Sequence, residues 1–231
     1  MEQIVLVIAA HPDDEILGCG GTMAKHVKNG DQVHSVILAE GITSRDFSRN
    51  REAHIAELSS LGKAAKRANE IVGVRSLRLL DFPDNRMDSM DRLDIVKAIE
   101  ELVNLYKPDI IYTHHIGDVN IDHRRIHEAV ITACRPIPGN HLVRQLLFFE
   151  TASSTEWMTA ASAPPFAPNW YVNISETLEL KIQSLEAYNS EMRDWPHARS
   201  TTALEHLARW RGSNIGVDAA EAFILGRKIE L

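Results

Sequence analysis

Two short runs hold most of the side chains in this sequence that could do chemistry. The first is His11-Pro12-Asp13-Asp14-Glu15, one imidazole and three carboxylates within five residues. The second, HHIGDVNIDHRRIH, lies far downstream and runs from His114 to His127. Acidic and imidazole groups crowded against apolar sequence are costly to desolvate unless a cation organises them. A divalent ion does so, because it takes imidazole nitrogen and carboxylate oxygen together. His11 and Asp14 are three apart on a loop, so both can reach one ion while Asp13 points elsewhere. A hydrolytic metal usually keeps three protein ligands and one open position. The third ligand must then come from another loop, and the candidates are His114, His115, Asp118, Asp122, His123 and His127. Asp122-His123 stands where a loop enters a helix, as His11-Asp14 does. That favours His123, with His127 one helical turn behind it.

These loops need a rigid frame, and the apolar pattern supplies one. Residues 3–10 form a β-branched run short enough for one strand buried on both faces. A helix is expected over 16–28, stopped by Asn29-Gly30-Asp31, then a strand over 33–39. A polar loop at 42–50, a helix over 51–72 and a strand over 76–80 follow. The loop DFPDNRMD (81–88) leads to a helix capped by Ser89, reaching about Tyr106 and stopped by Lys107-Pro108. A strand over 109–114 precedes the second chemical run, whose helix covers 123–134. Strand, loop and helix thus alternate four times, which predicts a parallel sheet with right-handed crossovers. The expected fold is α/β, a Rossmann-like three-layer sandwich with a mostly parallel sheet and helices on both faces. A fifth strand is expected over 146–150 and a short one over 170–174. Helices are predicted over 175–192, 200–211 and 217–229. No linker divides the chain, so residues 1–231 are read as one domain, with 151–170 as a variable excursion or lid. In such sheets ligands bind beyond the carboxyl ends of the strands, where every charged loop named here falls.

Composition narrows the function. A net charge of −7 argues against a nucleic-acid or anionic-membrane surface. The two cysteines, Cys19 and Cys134, are far apart and read as reduced, buried thiols, which fits a cytoplasmic protein. There is no apolar run of about 18 residues for a membrane span. The N-terminal run is too short, and lacks the basic leader, for a secretion signal.

HPDDE after the first strand, with the downstream DxNxDHRxxH segment, resembles the PIG-L/LmbE-like family of metal-dependent N-deacetylases. The RNRE stretch with a helix ending IVGV, FPDNRMD, and the late HARS and AEAF segments extend the resemblance over nearly the whole chain. It implies a Rossmann-like fold, one zinc ion per chain on His11, Asp14 and His123, and Asp13 as general base. Another divalent transition metal such as Fe2+ would suit the same ligands. Relatives of this kind often form symmetric homo-oligomers. Many carry HPDH at the second motif, where the first His pairs with the Asp. Here Asn120-Ile121-Asp122-His123 puts Asn beside Asp, a pair that cannot shuttle protons.

The expected reaction is removal of acetyl from an N-acetylated amino sugar or its conjugate, of the N-acetylglucosamine type. Asp13 would activate a zinc-bound water against the amide carbonyl and return the proton to the leaving amine. His197, which matches the family's late HxRS-like segment, is the candidate donor to the oxyanion. Glu15, Asn120 and Asp122 are expected to brace the ligands from behind. Arg51, Asp84, Asn85 and Arg86 sit on converging loops and are candidates for binding sugar hydroxyls or an anionic group; Trp170 and Trp195 could stack on a ring.

Two rival readings share these residues. Gly18-Cys19-Gly20-Gly21 after a strand, with Glu40 about 20 residues on, imitates a dinucleotide fingerprint. Its turn, however, is occupied by HPDDE, whose carboxylates would repel a pyrophosphate. A Mn2+- or Mg2+-dependent transferase using Asp13 and Asp14 is less consistent with imidazoles at 11 and 123.

Overall fold

The computed structural model describes residues 2–230. One seven-stranded sheet runs through it in the order β3-β2-β1-β4-β5-β7-β6. The strands are β1 (Ile4–Ala9), β2 (Gln32–Ala39), β3 (Ser76–Phe82), β4 (Ile110–His114), β5 (Gln145–Phe149), β6 (Trp170–Asn173) and β7 (Ala220–Lys228). β1 to β5 pair in parallel, whereas β7 is antiparallel to both β5 and β6. The helices are α1 (Asp14–Lys28), α2 (Ile55–Val72), α3 (Arg92–Tyr106), α4 (Ile121–Ala133), α5 (Leu178–Ala187) and α6 (Thr201–Ser213). Among the described residues no helix is long and apolar enough to cross a membrane.

The central strand explains the layering. Val5, Val7 and Ala9 of β1 pack into one core with α1, α2 and α5, while Leu6, Ile8 and Ala10 pack into another with α3 and α4. Successive side chains point to opposite faces, so a strand covered on both sides must be apolar throughout. Each fully buried Val, Leu or Ile contributes roughly 1.5–3 kcal/mol. The loop that follows β1 therefore stands on a stiff footing. β1 lies between β2 and β4, where the connections leave in opposite directions, and a crevice opens there.

α1 bends at Cys19, whose φ and ψ are −149° and 22°. A Cβ added to Gly18 would lie 2.3 Å from the Phe149 ring, and one on Gly21 would lie 2.7 Å from Ile174. Close packing of helix on sheet thus accounts for the glycines, and no phosphate cradle is formed. Backbone groups freed by the bend are satisfied by a buried ion pair. Lys181 Nζ donates to Leu17 O (2.8 Å) and Glu221 Oε1 (2.6 Å), and Glu221 accepts the N–H groups of Gly21 (3.0 Å) and Thr22 (2.7 Å).

The architecture matches the expectation except near the C-terminal end and at some helix starts. Residues 217–229 do not form a helix: 220–228 are β7, hydrogen-bonded on both sides. Pairing with two strands overrides the helical preference of its alanines. Ser89 ends a 3-10 turn, and α3 starts later, after Asp91. Ser175 donates to Asn173 Oδ1 (2.7 Å) instead of capping α5, which follows Thr177 and ends at Ala187. α2 begins at Ile55 behind a 3-10 turn at Glu52–His54, and α1 begins at Asp14. Residues 152–169 contain turns, bends and irregular chain without helix or strand.

Candidate metal centre and active-site crevice

β1 delivers His11 to the crevice, the first turn of α1 delivers Asp14, and the first turn of α4 delivers His123. Asp14 Oδ2 is their meeting point, 3.1 Å from His11 Nδ1 and 3.1 Å from His123 Nε2. The three donor atoms lie within 4.8 Å of one another, as a shared ion requires. Each imidazole has a carboxylate at its far nitrogen. His11 Nε2 faces Asp122 Oδ2 (3.0 Å) and Asp84 Oδ1 (3.3 Å), and His123 Nδ1 faces Asp118 Oδ2 (3.1 Å). Such partners fix the ring orientation and raise the basicity of a metal-binding imidazole. They are themselves held: Asp122 accepts the N–H groups of Asn85 and Met87, and Asp118 accepts from Ser154, Thr155 and Asn120.

The donor set fits a divalent transition ion. Both ring nitrogens of the buried His123 lack a properly directed hydrogen bond, although carboxylate oxygens are near. An unpartnered buried nitrogen is costly, and an ion at Nε2 would satisfy it. Electrostatics point the same way. Burial disfavours the His123 cation, but Asp14 and Asp118 outweigh it and lift the group to about 9. For His11, burial is likewise outweighed by Asp122 and Asp14, and its pKa stands well above the ordinary value. Burial raises Asp14, yet His123 and His11 together hold it well below the usual carboxylate range. Protons shared among these three groups are what an ion would replace.

The other candidate ligands have different partners. His114 Nε2 accepts the Ala10 N–H (2.8 Å), and its ring stacks on His123 at 3.8 Å. Burial first, and His123 second, hold its pKa well below the ordinary value, so it is a neutral prop. His127 Nδ1 donates to His114 O (2.9 Å), and His115 Nε2 donates to Pro164 O (3.0 Å). Cys19 is buried, with Sγ directed at Glu15 O (3.4 Å), away from the ligands.

Asp13 is set apart from Asp14 by its backbone, with φ at 120° and ψ at −30°. Its N–H donates to Glu15 Oε2 (3.2 Å), and its Oδ2 accepts from Arg199 Nη1 (2.9 Å). Burial raises its pKa well above the ordinary value, against the opposing charge of Arg199. Glu15 lies behind it, accepting from Tyr188 Oη (2.6 Å) and Asn69 Nδ2 (2.9 Å); burial pushes Glu15 up to about 7. Asp13, Ile42, Asn85 and Ser153 all line the crevice with positive φ, four of the six such non-glycine residues among those described. Strain of this kind concentrates at functional sites.

The crevice encloses about 540 Å3, enough for a sugar-sized ligand. Asp84 and Asn85, candidates for substrate binding, line it, and so does Asn120, expected to brace the ligands from behind. Asn120 Oδ1 also caps α4, and its Nδ2 donates to Asn85 Oδ1 (2.8 Å). Arg51 and Arg86 are not in the lining. Arg51 is paired with Glu40 and Asp81, and Arg86 donates to the carbonyls of Asp46 and Phe47, so both brace loops. His197 is outside the lining as well; its Nδ1 accepts the Arg199 N–H (3.0 Å), and its ring meets Trp157 edge-on. Trp170 and Trp195 are likewise absent from it, with Trp195 packed against His206. Sequence reasoning missed Arg45, Ser153, Trp157, Glu191 and Arg199, which do line the crevice. Only Arg199 had a signal, its place two residues after His197 in the HARS segment.

Residues 6–134 match the family described as PIG-L: GlcNAc-PI de-N-acetylase. The chain is 28% identical over 215 residues to a probable N-acetyl-alpha-D-glucosaminyl L-malate deacetylase 2 of Bacillus cereus, covering 91% of this chain and 94% of that protein. In fold it is similar to the N,N'-diacetylchitobiose deacetylase of Pyrococcus horikoshii, with a TM-score of 0.77, 21% identity, and coverage of 96% and 83% of the two chains. It is also similar to the 4-carboxy-2-hydroxymuconate hydratase GalB of Pseudomonas putida KT2440, with a TM-score of 0.76, 22% identity, and coverage of 100% and 98%. Those two likenesses speak for the fold alone. With the family match covering more than half its length, the chain belongs to the PIG-L family of de-N-acetylases.

Proposed function

We propose that this family member is a metal-dependent hydrolase, using one zinc ion per chain, that removes acetyl from an N-acetylated amino sugar or its conjugate. The observation that carries the proposal is the division of labour between neighbours: Asp14 sits between two imidazoles, while Asp13 is turned away on a strained backbone. A bound ion would polarise the amide carbonyl and lower the pKa of a water. His11, Asp14 and His123 would hold that ion, and Asp122, Asp84 and Asp118 would keep the two rings oriented. Asp13 has one oxygen on Arg199, and its Oδ1 has no hydrogen-bond partner among the described residues, which leaves that atom to take the proton from water. The same oxygen then returns the proton to the amine, and acetate and the free amino sugar leave. Asp84, Asn85 and Asn120 offer the hydrogen-bonding groups that would hold sugar hydroxyls. The position of His197 supports a role in shaping the Arg199 turn better than one as oxyanion donor.

The relative from Bacillus cereus supports an N-acetylglucosaminyl conjugate as substrate. The fold similarity to a hydratase makes the chemical test necessary, because the scaffold alone does not select the reaction. The test is acetate release over a panel of N-acetylglucosamine conjugates with zinc added. Release of acetate and amine in equal amounts is expected; zinc-loaded protein that binds these sugars but frees no acetate would overturn the proposal.

A further inference from the structure

Two of the strained residues in the crevice, Asp13 and Ser153, share one partner. Arg199 donates from Nη1 to Asp13 Oδ2 (2.9 Å) and from Nε to Ser153 Oγ (2.6 Å). A guanidinium is planar and rigid, so two such bonds fix the spacing and angle of the groups they join. Arg199 is itself held by the His197 Nδ1 contact to its N–H. Among the described residues the Asp13 carboxylate has no other side-chain hydrogen-bond partner. Without the guanidinium no described side chain would hydrogen-bond that carboxylate and fix its orientation. Ser153, for its part, belongs to the excursion after β5, and its N–H donates to Glu156 Oε1 (2.6 Å). Ser154 and Trp157 of that segment form one wall of the crevice.

We propose that Arg199 is a positioning residue of the deacetylation: it holds one oxygen of Asp13 so that the other faces the reacting water, and through Ser153 it makes that alignment depend on the seating of residues 150–169. This rests on the deacetylase reading above. A ligand that settles the Trp157 wall thereby steadies the base, and the carboxylate and the wall behave as one unit.

The experiment measures acetate release, metal content and thermal unfolding for the wild type, R199A, R199K, S153A and the R199A/S153A double variant. R199A is expected to lose about 100-fold in kcat with KM within about threefold. R199K, unable to span both partners, should fall between, and added guanidinium ion should partly restore R199A. S153A is expected to lose about tenfold in kcat alone and nothing further in the R199A background. Metal content should match the wild type throughout. An R199A kcat within about threefold of wild type, a loss confined to KM, fully additive losses, or loss of metal would each overturn the proposal. Should R199A not fold, R199K and S153A are judged by the same kcat and KM split. A wild type that frees no acetate from any conjugate overturns the deacetylase reading itself; an active wild type with indifferent Arg199 variants overturns only the positioning role.

Discussion

α1 touches two buried charge clusters, and they differ in what they leave open. At its bend, Lys181 and Glu221 meet each other and the freed backbone groups of Leu17, Gly21 and Thr22. The space beside them is only about 20 Å3. At its first turn, neither nitrogen of His123 has a properly directed hydrogen bond, Asp13 Oδ1 has no hydrogen-bond partner among the described residues, and the crevice of about 540 Å3 begins there. Both places bury ionisable groups next to the same glycine-rich helix. Burial of charge therefore does not mark a working site; unfilled valences facing a cavity do.

The strongest way to break this contrast is Asp13→Asn. It should lower kcat by about 10³-fold while leaving metal content and thermal unfolding nearly unchanged, because the amide keeps the shape and loses the base. If activity survives, the role of Asp13 is wrong; if stability collapses, the first-turn cluster resembles the bend after all. Lys181→Met should do the reverse. It strands Glu221 in the core and should destabilise the fold by about 3–5 kcal/mol, read as a lower denaturant midpoint. Activity per folded molecule should hold, and a specific loss of kcat would give the bend a share in the chemistry. The smallest effect, and the one that sharpens the contrast most, is the response to zinc. A free zinc concentration 100 times Kd should add about 2.7 kcal/mol of stability. The shift should vanish in His123→Ala and persist in Lys181→Met; a shift that survives in His123→Ala would place the ion elsewhere.

Much of this was legible in the residues because it is written locally. The β1 run is apolar at every position because both its faces are covered, and that alone announces a buried parallel strand. His11 and Asp14 are close in sequence, and His123 occupies the matching place at the start of α4, so the candidate ligand group could be assembled on paper. The spacing alone set Asp13 apart from Asp14, but its role as base came only through family likeness, and its positive φ is invisible in the letters. What failed was non-local. β7 is a strand because β5 and β6 both bond to it, a fact its alanines do not advertise. Arg51 and Arg86 looked like ligand-binding residues, but the acidic groups and carbonyls that occupy them belong to other loops. Arg199 reaches Asp13 across 186 residues, and neither segment carries a trace of the other.

The placement of β7 between β5 and β6 has a consequence for how the molecule is made. β5 and β6 emerge from the ribosome first, yet no hydrogen bond joins them directly; their shared neighbour is translated some fifty residues after β6. Until it arrives, one edge of β5 stays bare, and the turns between the two strands hang from a sheet that stops short. The candidate ligands His11, Asp14 and His123 can therefore be in place on a nascent chain before the strand that joins β5 to β6 has been made.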